Sequence, residues 1–590
     1  MENEQLNNIR HTLAHLLAQA VVEAHPDAKL TIGPTTDDGF YYDFADVTLS
    51  EDELPALEKA MRAIAGRNLE MRHEMWPLEK ARDYFGKQGA AYKLELIDEL
   101  AAAGETEVGI AFTGAEFTDL CRGGHVKNTK DIPADAFKLT RVAGAYWRGD
   151  ETNAMLTRVY GIAFETKKEL QEYEAKIEEA KNRDHRKLGA ELDLFTFSDL
   201  VGAGLPLFTP RGTAMREAIT DFLWNISKKH GYSKVSIPHL ARIALYETSG
   251  HAQKFKDEFF YVHGAQSDQD FVLKPMNCPH HTQIYASKGR SYRDLPLRYN
   301  EVTMQYRDEK PGELLGLSRV RAISIDDAHV FCRLDQIKEE VGSMVKIFEE
   351  FYSALDMWKT GETFWVSLSV RDSKNLEKYL GKDENWNRAE QCLQEAASEH
   401  GLDAQRKEGE AAFYGPKLDF MFQDALGRQW QLATAQIDFV QPERFGLEYT
   451  DENGDKQTPV MVHRAVTGSL ERFMSVLIEH YAGAFPTWLA PDQVWVLPVS
   501  DKFNDYARKV AAALADEDVR VVVRDENESL GKKIRTGQTQ KVPYLLIVGE
   551  KEVDEGTVSV RSYTDADLGT MKVDDFVEKI EDEIEERRHG

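Results

Sequence analysis

The stretch "TKKELQEYEAKIEEAKNRDHRKLG", Thr166 to Gly189, does most to limit how this chain can fold. Its dense Lys, Glu and Arg read as a solvated helix serving as a connector. The chain is therefore expected to divide there, and its 590 residues suggest roughly three or four domains. Residues 1–180 form the first expected domain, beginning with an amphipathic helix that carries Leu6, Ile9, Leu13, Leu16, Leu17 and Ala20 at helical spacing. Residues 181–200 read as a linker and 201–488 as a large block of short apolar runs and glycine breaks. In 489–590 the β-like runs "VWVLPV", "VRVVVRD", "YLLIVG" and "TVSVRSY" alternate with helix-like stretches, which predicts a small α/β domain.

Several classes are set aside early. No apolar run reaches about 18 residues, so no membrane span is expected. The start, "MENEQLNN", lacks the basic and apolar regions of a secretory signal. Four cysteines, Cys121, Cys278, Cys332 and Cys392, are too few for a disulfide scaffold and fit a reducing, cytoplasmic setting. A net charge of −28 argues, as a sum, against nucleic acid as partner, but a sum says nothing of local basic surfaces.

The chemistry-bearing residues form sets. His11 and His15 lie four apart on the first helix, hence on one face. Downstream "CRGGH" gives Cys121 and His125 around a double glycine, a tight turn. Two such pairs suit tetrahedral zinc, or equally a water held by hydrogen bonds with an imidazole as base. Further along, Cys278, His329 and His463 come from three distant segments, the pattern of a functional zinc with an open position. His280, His281 and Cys332 are also candidates by type. Around a glycine-bearing loop stand Arg307, Glu309, Arg319 and Arg321, and Arg472 opens an apolar helix. Forked guanidinium groups there suit a carboxylate and a triphosphate.

"HTLAH", "GFYYDF" and "CRGGH" resemble the editing domain of the threonyl-tRNA synthetase family. "GYSKVSIPHL", "YRDE…LLGLSRVR" and "GSLERF" resemble the three motifs of its class II core, and the likeness runs from residue 5 onward. The resemblance implies a multidomain α+β and α/β chain: an editing domain, an antiparallel-sheet class II core and a C-terminal α/β anticodon-binding domain. It implies ATP-dependent attachment of L-threonine to tRNA(Thr) through a threonyl-adenylate, with hydrolytic editing of Ser-tRNA(Thr). An editing-only hydrolase and a non-catalytic tRNA-binding or regulatory paralogue are the alternatives. By the same resemblance one Zn²⁺ per chain sits on Cys278, His329 and His463, and Mg²⁺ comes with ATP. Asp327, Tyr414 and Gln436 would bind the amino acid, while Arg307, Glu309, Arg319, Ile323 and Arg472 would bind ATP. Arg307, Lys417, Arg472 and His251 would serve catalysis. His11, His15, Cys121, His125, Lys93, Asp119 and Tyr42 would form the editing pocket. In alanyl relatives the four editing ligands hold zinc, whereas the bacterial threonyl pocket works with water. Glu552 and Arg561 would read anticodon bases, and Lys532, Lys533, Arg535 and Lys541 fit phosphate contacts. A homodimer is implied by the element around Pro238. The usual N-terminal ubiquitin-like domain is expected to be missing. Two departures are internal: "RVRAISIDDAH" puts Ala322, Ile323 and Ile325 where the family has glycine, an aromatic and glutamine, and Leu315 replaces a histidine.

Overall fold

The computed structural model describes every residue except 1–3, 151, 267–268, 425–426, 565 and 588–590. Two compact units result, residues 1–178 and 179–590.

The first unit begins with helix α1 (Glu4–Ala24). Its apolar stripe, with Ile9, Leu13, Leu16 and Leu17, meets the helix Leu54–Gly66 and one face of a four-stranded antiparallel sheet. Phe40 and Phe44 from that sheet are fully buried in this core. Each such side chain contributes about 1.5–3 kcal/mol by leaving water. A second sheet of three strands carries Phe117–Leu120 at one edge and leads into the Cys121 turn. Gly123 and Gly124 have φ of 97° and 86°, so the double glycine is indeed a tight left-handed turn.

Helix α2 (Lys167–Arg183) carries the charged stretch as expected. The expected linker 181–200 needs correction. After Asp184 caps the short helix α3 (His185–Glu191), Leu188, Leu192, Leu194 and Phe195 enter the main core of the second unit. Four large apolar side chains in that short stretch outweigh its charged start.

The second unit is built on an eight-stranded sheet. Its order is Ser233–Lys234, β1 (Leu297–Tyr306), β2 (Ala322–Cys332), β5, β4, β3, Phe364–Val370 and Ala404–Glu408, where β3 is Lys417–Gln423, β4 Gln429–Asp438 and β5 Val460–Ala465. All pairs are antiparallel except the two outermost. Helix α4 (Cys278–Ala286) precedes the sheet, and α5 (Leu470–His480), capped by the Ser469 side chain, follows it. Strand alternation divides β2 into two faces. Ala328, Val330 and Cys332 join the core of α5 and the helices Pro210–Lys229 and Ile337–Ser353. Ile323, Ile325, Asp327 and His329 share the other face. Cys332 is thus a core residue rather than a ligand.

The last sheet has the order Val521–Val523, Val494–Pro498, Tyr544–Val548, Thr557–Ser562, Asp567–Lys572, parallel in its first three strands and antiparallel after. Helices alternate with these strands as the sequence predicts. The expected basic row does not form as one surface. Lys533 is buried, with its Nζ donating to the Pro498 carbonyl, and Lys541 donates to the Ala482 carbonyl. Only Lys532 and Arg535 of the four are exposed. Among the described residues no helix is long and apolar enough to cross a membrane.

Candidate functional site

In the first unit, α1 and the glycine turn bring His11, His15, Cys121 and His125 together, with one donor atom of each within 4.8 Å of the others. Cys121 Sγ lies 3.4 Å from His11 Nε2 and 3.2 Å from His125 Nε2. Beneath them Asp119 accepts a hydrogen bond from the Tyr42 hydroxyl at 2.6 Å and pairs with Lys93, which also donates to that hydroxyl at 3.1 Å. His15 Nδ1 is 3.7 Å from Asp119. A cavity of about 710 Å³ opens over these groups, lined by His11, His15, Tyr42, Lys93, Asp119 and Cys121 among others.

Burial dominates the electrostatics here. It holds His15 well below the usual imidazole range, lowers His11, and brings His125 to about 2. It also pushes the Cys121 thiol up to about 11. Neutral imidazoles with free lone pairs can accept a proton from water or ligate a cation. His15 Nδ1 and His125 Nδ1 are buried without a hydrogen-bond partner, while His125 Nε2 faces the Cys121 sulfur.

In the second unit, Cys278 at the start of α4, His329 on β2 and His463 on β5 also bring donors within 4.8 Å of one another, all buried. β2 and β5 pair His329 directly opposite His463. Each imidazole has one nitrogen engaged by an outer partner. His329 Nδ1 is 2.7 Å from His281 Nδ1, and His463 Nε2 is 3.0 Å from Asp438 Oδ2. That leaves the other nitrogen of each ring for a cation, the arrangement common around metal-bound histidines. Burial pushes the Cys278 thiol well up and His329 well down, so both would gain from a divalent cation. The donor set of one sulfur and two nitrogens fits zinc.

His281 is therefore a partner of a candidate ligand, not a ligand. Asp438 was not singled out from the sequence. The signal was present, since alternation along "QLATAQIDF" puts Asp438 on the same face as Gln436. Asn277 and Gln305, also unpredicted, donate to Asp327 at 3.0 and 3.3 Å. Asp327 Oδ1 lies 3.4 Å from His329 Nε2.

A cavity of about 450 Å³ adjoins these donors, lined by His251, Tyr414, Lys417 and Gln436 among others. The Tyr414 ring stacks on His463 with centroids 5.1 Å apart, and its hydroxyl donates to Gln436 at 2.8 Å. Lys417 pairs with Asp419 at 3.0 Å. His251 is fully buried, 2.8 Å from the Ser249 hydroxyl, and burial lowers it to about 3. At the start of α5, Arg472 is buried enough to be lowered, with Arg307 and Arg319 adding repulsion. Three guanidinium groups close enough to repel one another make a local cationic patch. Arg319 is meanwhile held by Glu309 at 2.9 Å and Glu313 at 2.6 Å. Ile323 lies opposite Gln305, nearly buried. In the last sheet domain Glu552 caps its own helix through the Gly549 N–H at 3.0 Å, and Arg561 lies on the following strand.

This antiparallel sheet, with its arginine cluster and appended α/β domain, defines a class II aminoacyl-tRNA synthetase. Residues 260–481 match the tRNA synthetase class II core domain (G, H, P, S and T), 493–583 an anticodon binding domain, and 108–160 the threonyl and alanyl tRNA synthetase second additional domain. The chain is 51% identical over 580 residues to a threonine–tRNA ligase of Porphyromonas gingivalis, covering 98% of this chain and 87% of that protein. To the threonine–tRNA ligase of Cytophaga hutchinsonii it is 47% identical over 587 residues, covering 99% and 89%. A crystal structure described as the RNA binding domain of threonyl-tRNA synthetase from Cryptosporidium parvum is 35% identical, with a TM-score of 0.63, and covers 68% of this chain and 98% of that one. The chain belongs to the threonine–tRNA ligase family.

Proposed function

We propose that this chain activates L-threonine with ATP, transfers it to tRNA(Thr), and hydrolyses Ser-tRNA(Thr) in the first unit. The observation that carries the reading is the Cys278, His329 and His463 set beside the Tyr414–Lys417–Gln436 cavity. Those three residues would hold one zinc ion, whose Lewis acidity a substrate hydroxyl satisfies and a methyl does not. Valine, nearly isosteric with threonine, would be rejected on that ground. Asp327 would accept a hydrogen bond from that hydroxyl, with Asn277 and Gln305 orienting its carboxylate. Tyr414 and Gln436 line the pocket for the amino acid. Arg307 would take the carboxylate and α-phosphate, with Lys417 assisting, and Arg319, Glu309 and Arg472 the outer phosphates of Mg²⁺-ATP. Ile323 would pack on the adenine. His251, in the wall of the same cavity, would meet the terminal ribose.

Serine lacks only one methyl of threonine, worth about 1–3 kcal/mol, so binding alone cannot exclude it. The His11, His15, Cys121, His125 pocket supplies the second sieve, with Lys93, Asp119 and Tyr42 as its polar floor. Glu552 and Arg561 are the candidates for anticodon contact, and the setting is cytoplasmic. Threonine-dependent ATP–pyrophosphate exchange is the direct test. Its absence from the purified, zinc-loaded protein would remove the synthetase reading and leave the editing hydrolase.

Two further outcomes are expected. The Ser233–Lys234 strand lies at the edge of the large sheet, and the Ile237 N–H is held by Glu301 at 3.1 Å. A cavity of about 360 Å³ with Trp224, Lys234 and Val302 in its wall lies beside it. A homodimer formed on this edge predicts twice the chain mass in light scattering at micromolar concentration; a fully active monomer would refute it. An Ile323→Phe variant should bind ATP at least as tightly as the parent, because an aromatic ring adds stacking against adenine. Loss of exchange would instead show that the pocket is shaped around the aliphatic side chain, where extra volume is penalised.

A further inference from the structure

We propose that His185 is a positioning residue for the nucleotide site: it bolts the turn 315–319 to α5 and so sets Arg319 and Arg472. The inference rests on the reading of that site given above. His185 opens α3, is 1% exposed, and has no part in the chemistry described so far.

Both ring nitrogens are engaged. Nδ1 lies 2.8 Å from Glu479 Oε1, and the Leu317 backbone N–H donates to Nε2 at 3.2 Å. A backbone N–H can only donate, so Nε2 carries the lone pair. Nδ1 therefore carries the proton and donates it to Glu479. The same carboxylate oxygen accepts the backbone N–H of His185 at 3.3 Å.

The fit at the turn is close. A Cβ on Gly316 would stand 2.3 Å from His185 Nε2, and Gly316 has φ of 48°. Glycine is required there both for the backbone and for the approach of the ring. The turn closes through Ser318 N–H to Leu315 O at 2.9 Å and Leu315 N–H to Arg319 O at 3.1 Å. The Ser318 carbonyl accepts a hydrogen bond from Arg472 Nε at 3.0 Å, and the Ser318 hydroxyl meets that of Ser475 at 2.9 Å. Glu479, Ser475 and Arg472 all ride on α5. One buried imidazole thus joins α3, the turn that carries Arg319, and the helix that carries Arg472. Without the ring, the Leu317 N–H is left buried and unpaired, Glu479 loses its shortest partner and keeps only the residue-185 backbone N–H and Arg428 at 3.9 Å, and the turn is free to shift. A small displacement of a phosphate-binding guanidinium weakens nucleotide binding without touching the amino-acid pocket.

The test is threonine-dependent ATP–pyrophosphate exchange on the full chain. His185→Ala should raise the KM for ATP about tenfold or more, while the KM for threonine stays within about twofold. Glu479→Gln, which keeps an acceptor oxygen for the ring proton, should hold the ATP KM near the parent's, and Glu479→Ala should follow His185→Ala. A folded His185→Ala protein with unchanged ATP KM overturns the proposal. So does a parallel rise of both KM values, the mark of a general loss of structure. If His185→Ala does not fold, equal ATP KM values for Glu479→Gln and Glu479→Ala overturn it. If the parent shows no threonine-dependent exchange, the functional reading fails; equilibrium dialysis with ATP alone then decides the role of His185 by the same comparison.

Discussion

A His11→Ala, His15→Ala double variant accumulates Ser-tRNA(Thr) under conditions where the parent leaves none, and it still activates threonine. The two results belong together because the histidines lie in the unit 1–178 and the activation residues in 179–590. Hydrolysis of the serine ester needs a base or a held water. His11 is 3.4 Å from Cys121, and His15 is 3.7 Å from Asp119, so removing both strips two of the polar groups over the 710 Å³ cavity. General-base contributions of about 10²–10⁴-fold set the scale of the loss in Ser-tRNA(Thr) deacylation. The measurement is single-turnover deacylation of serylated tRNA, with pyrophosphate exchange as the control for the other unit. Burial lowers both imidazoles, so the parent's deacylation should fall away only at a pH below that expected of an unburied imidazole, about 6.5. Deacylation by the double variant at the parent's rate would mean that the two histidines only shape their helix.

Cys278→Ala is the second large effect. The variant should lose its zinc on purification, and threonine-dependent exchange should fall by about 10³-fold, the equivalent of roughly 4 kcal/mol of charge stabilisation. Cys278 is buried beside His329 and His463. His251 Nε2 lies 4.0 Å from the Cys278 sulfur but its ring is tied to the Ser249 hydroxyl at 2.8 Å, and His281 is held 2.7 Å from His329 as that ring's partner. Replacing the thiol by hydrogen deletes one buried heavy atom, so the metal-free proteins should differ by only about 1 kcal/mol in stability. Zinc content by atomic absorption decides the matter: undiminished metal in Cys278→Ala removes Cys278 from the ligand set.

What could be read from the sequence was whatever depends on spacing along one element. The i, i+4 histidines of α1, the double-glycine turn and the alternating strands of the last domain all have a local cause, and the structure has them. The linker expected at 181–200 failed because its helix-forming charges are local while the partners of Leu188, Leu194 and Phe195 are far away in sequence. Lys533 and Lys541 failed in the same way: their acceptors, the carbonyls of Pro498 and Ala482, leave no mark on the residues around them. The candidate zinc set lay between these cases. Residue type offered His281, His329 and Cys332 equally. The two-residue period of β2 separates Cys332 from His329, but the role of His281 needed the three-dimensional neighbourhood.

That two-residue period also bears on how such a chain can diverge. β2 is lined on one face by Ala328, Val330 and Cys332 in the main core, and on the other by Ile323, Ile325, Asp327 and His329. Point changes on the second face, such as those at Ile323 and Ile325, leave the first untouched, so descendants can drift there one side chain at a time. A single-codon insertion or deletion within 322–332 would turn every side chain beyond it to the opposite face. Asp327 and His329 would then point among the phenylalanines while valine faced the substrate. Length is therefore constrained along this strand as well as residue type: a one-residue change within 322–332 has to be absorbed by a bulge, as between Asp419 and Met421 in β3, or fall in the flanking loops.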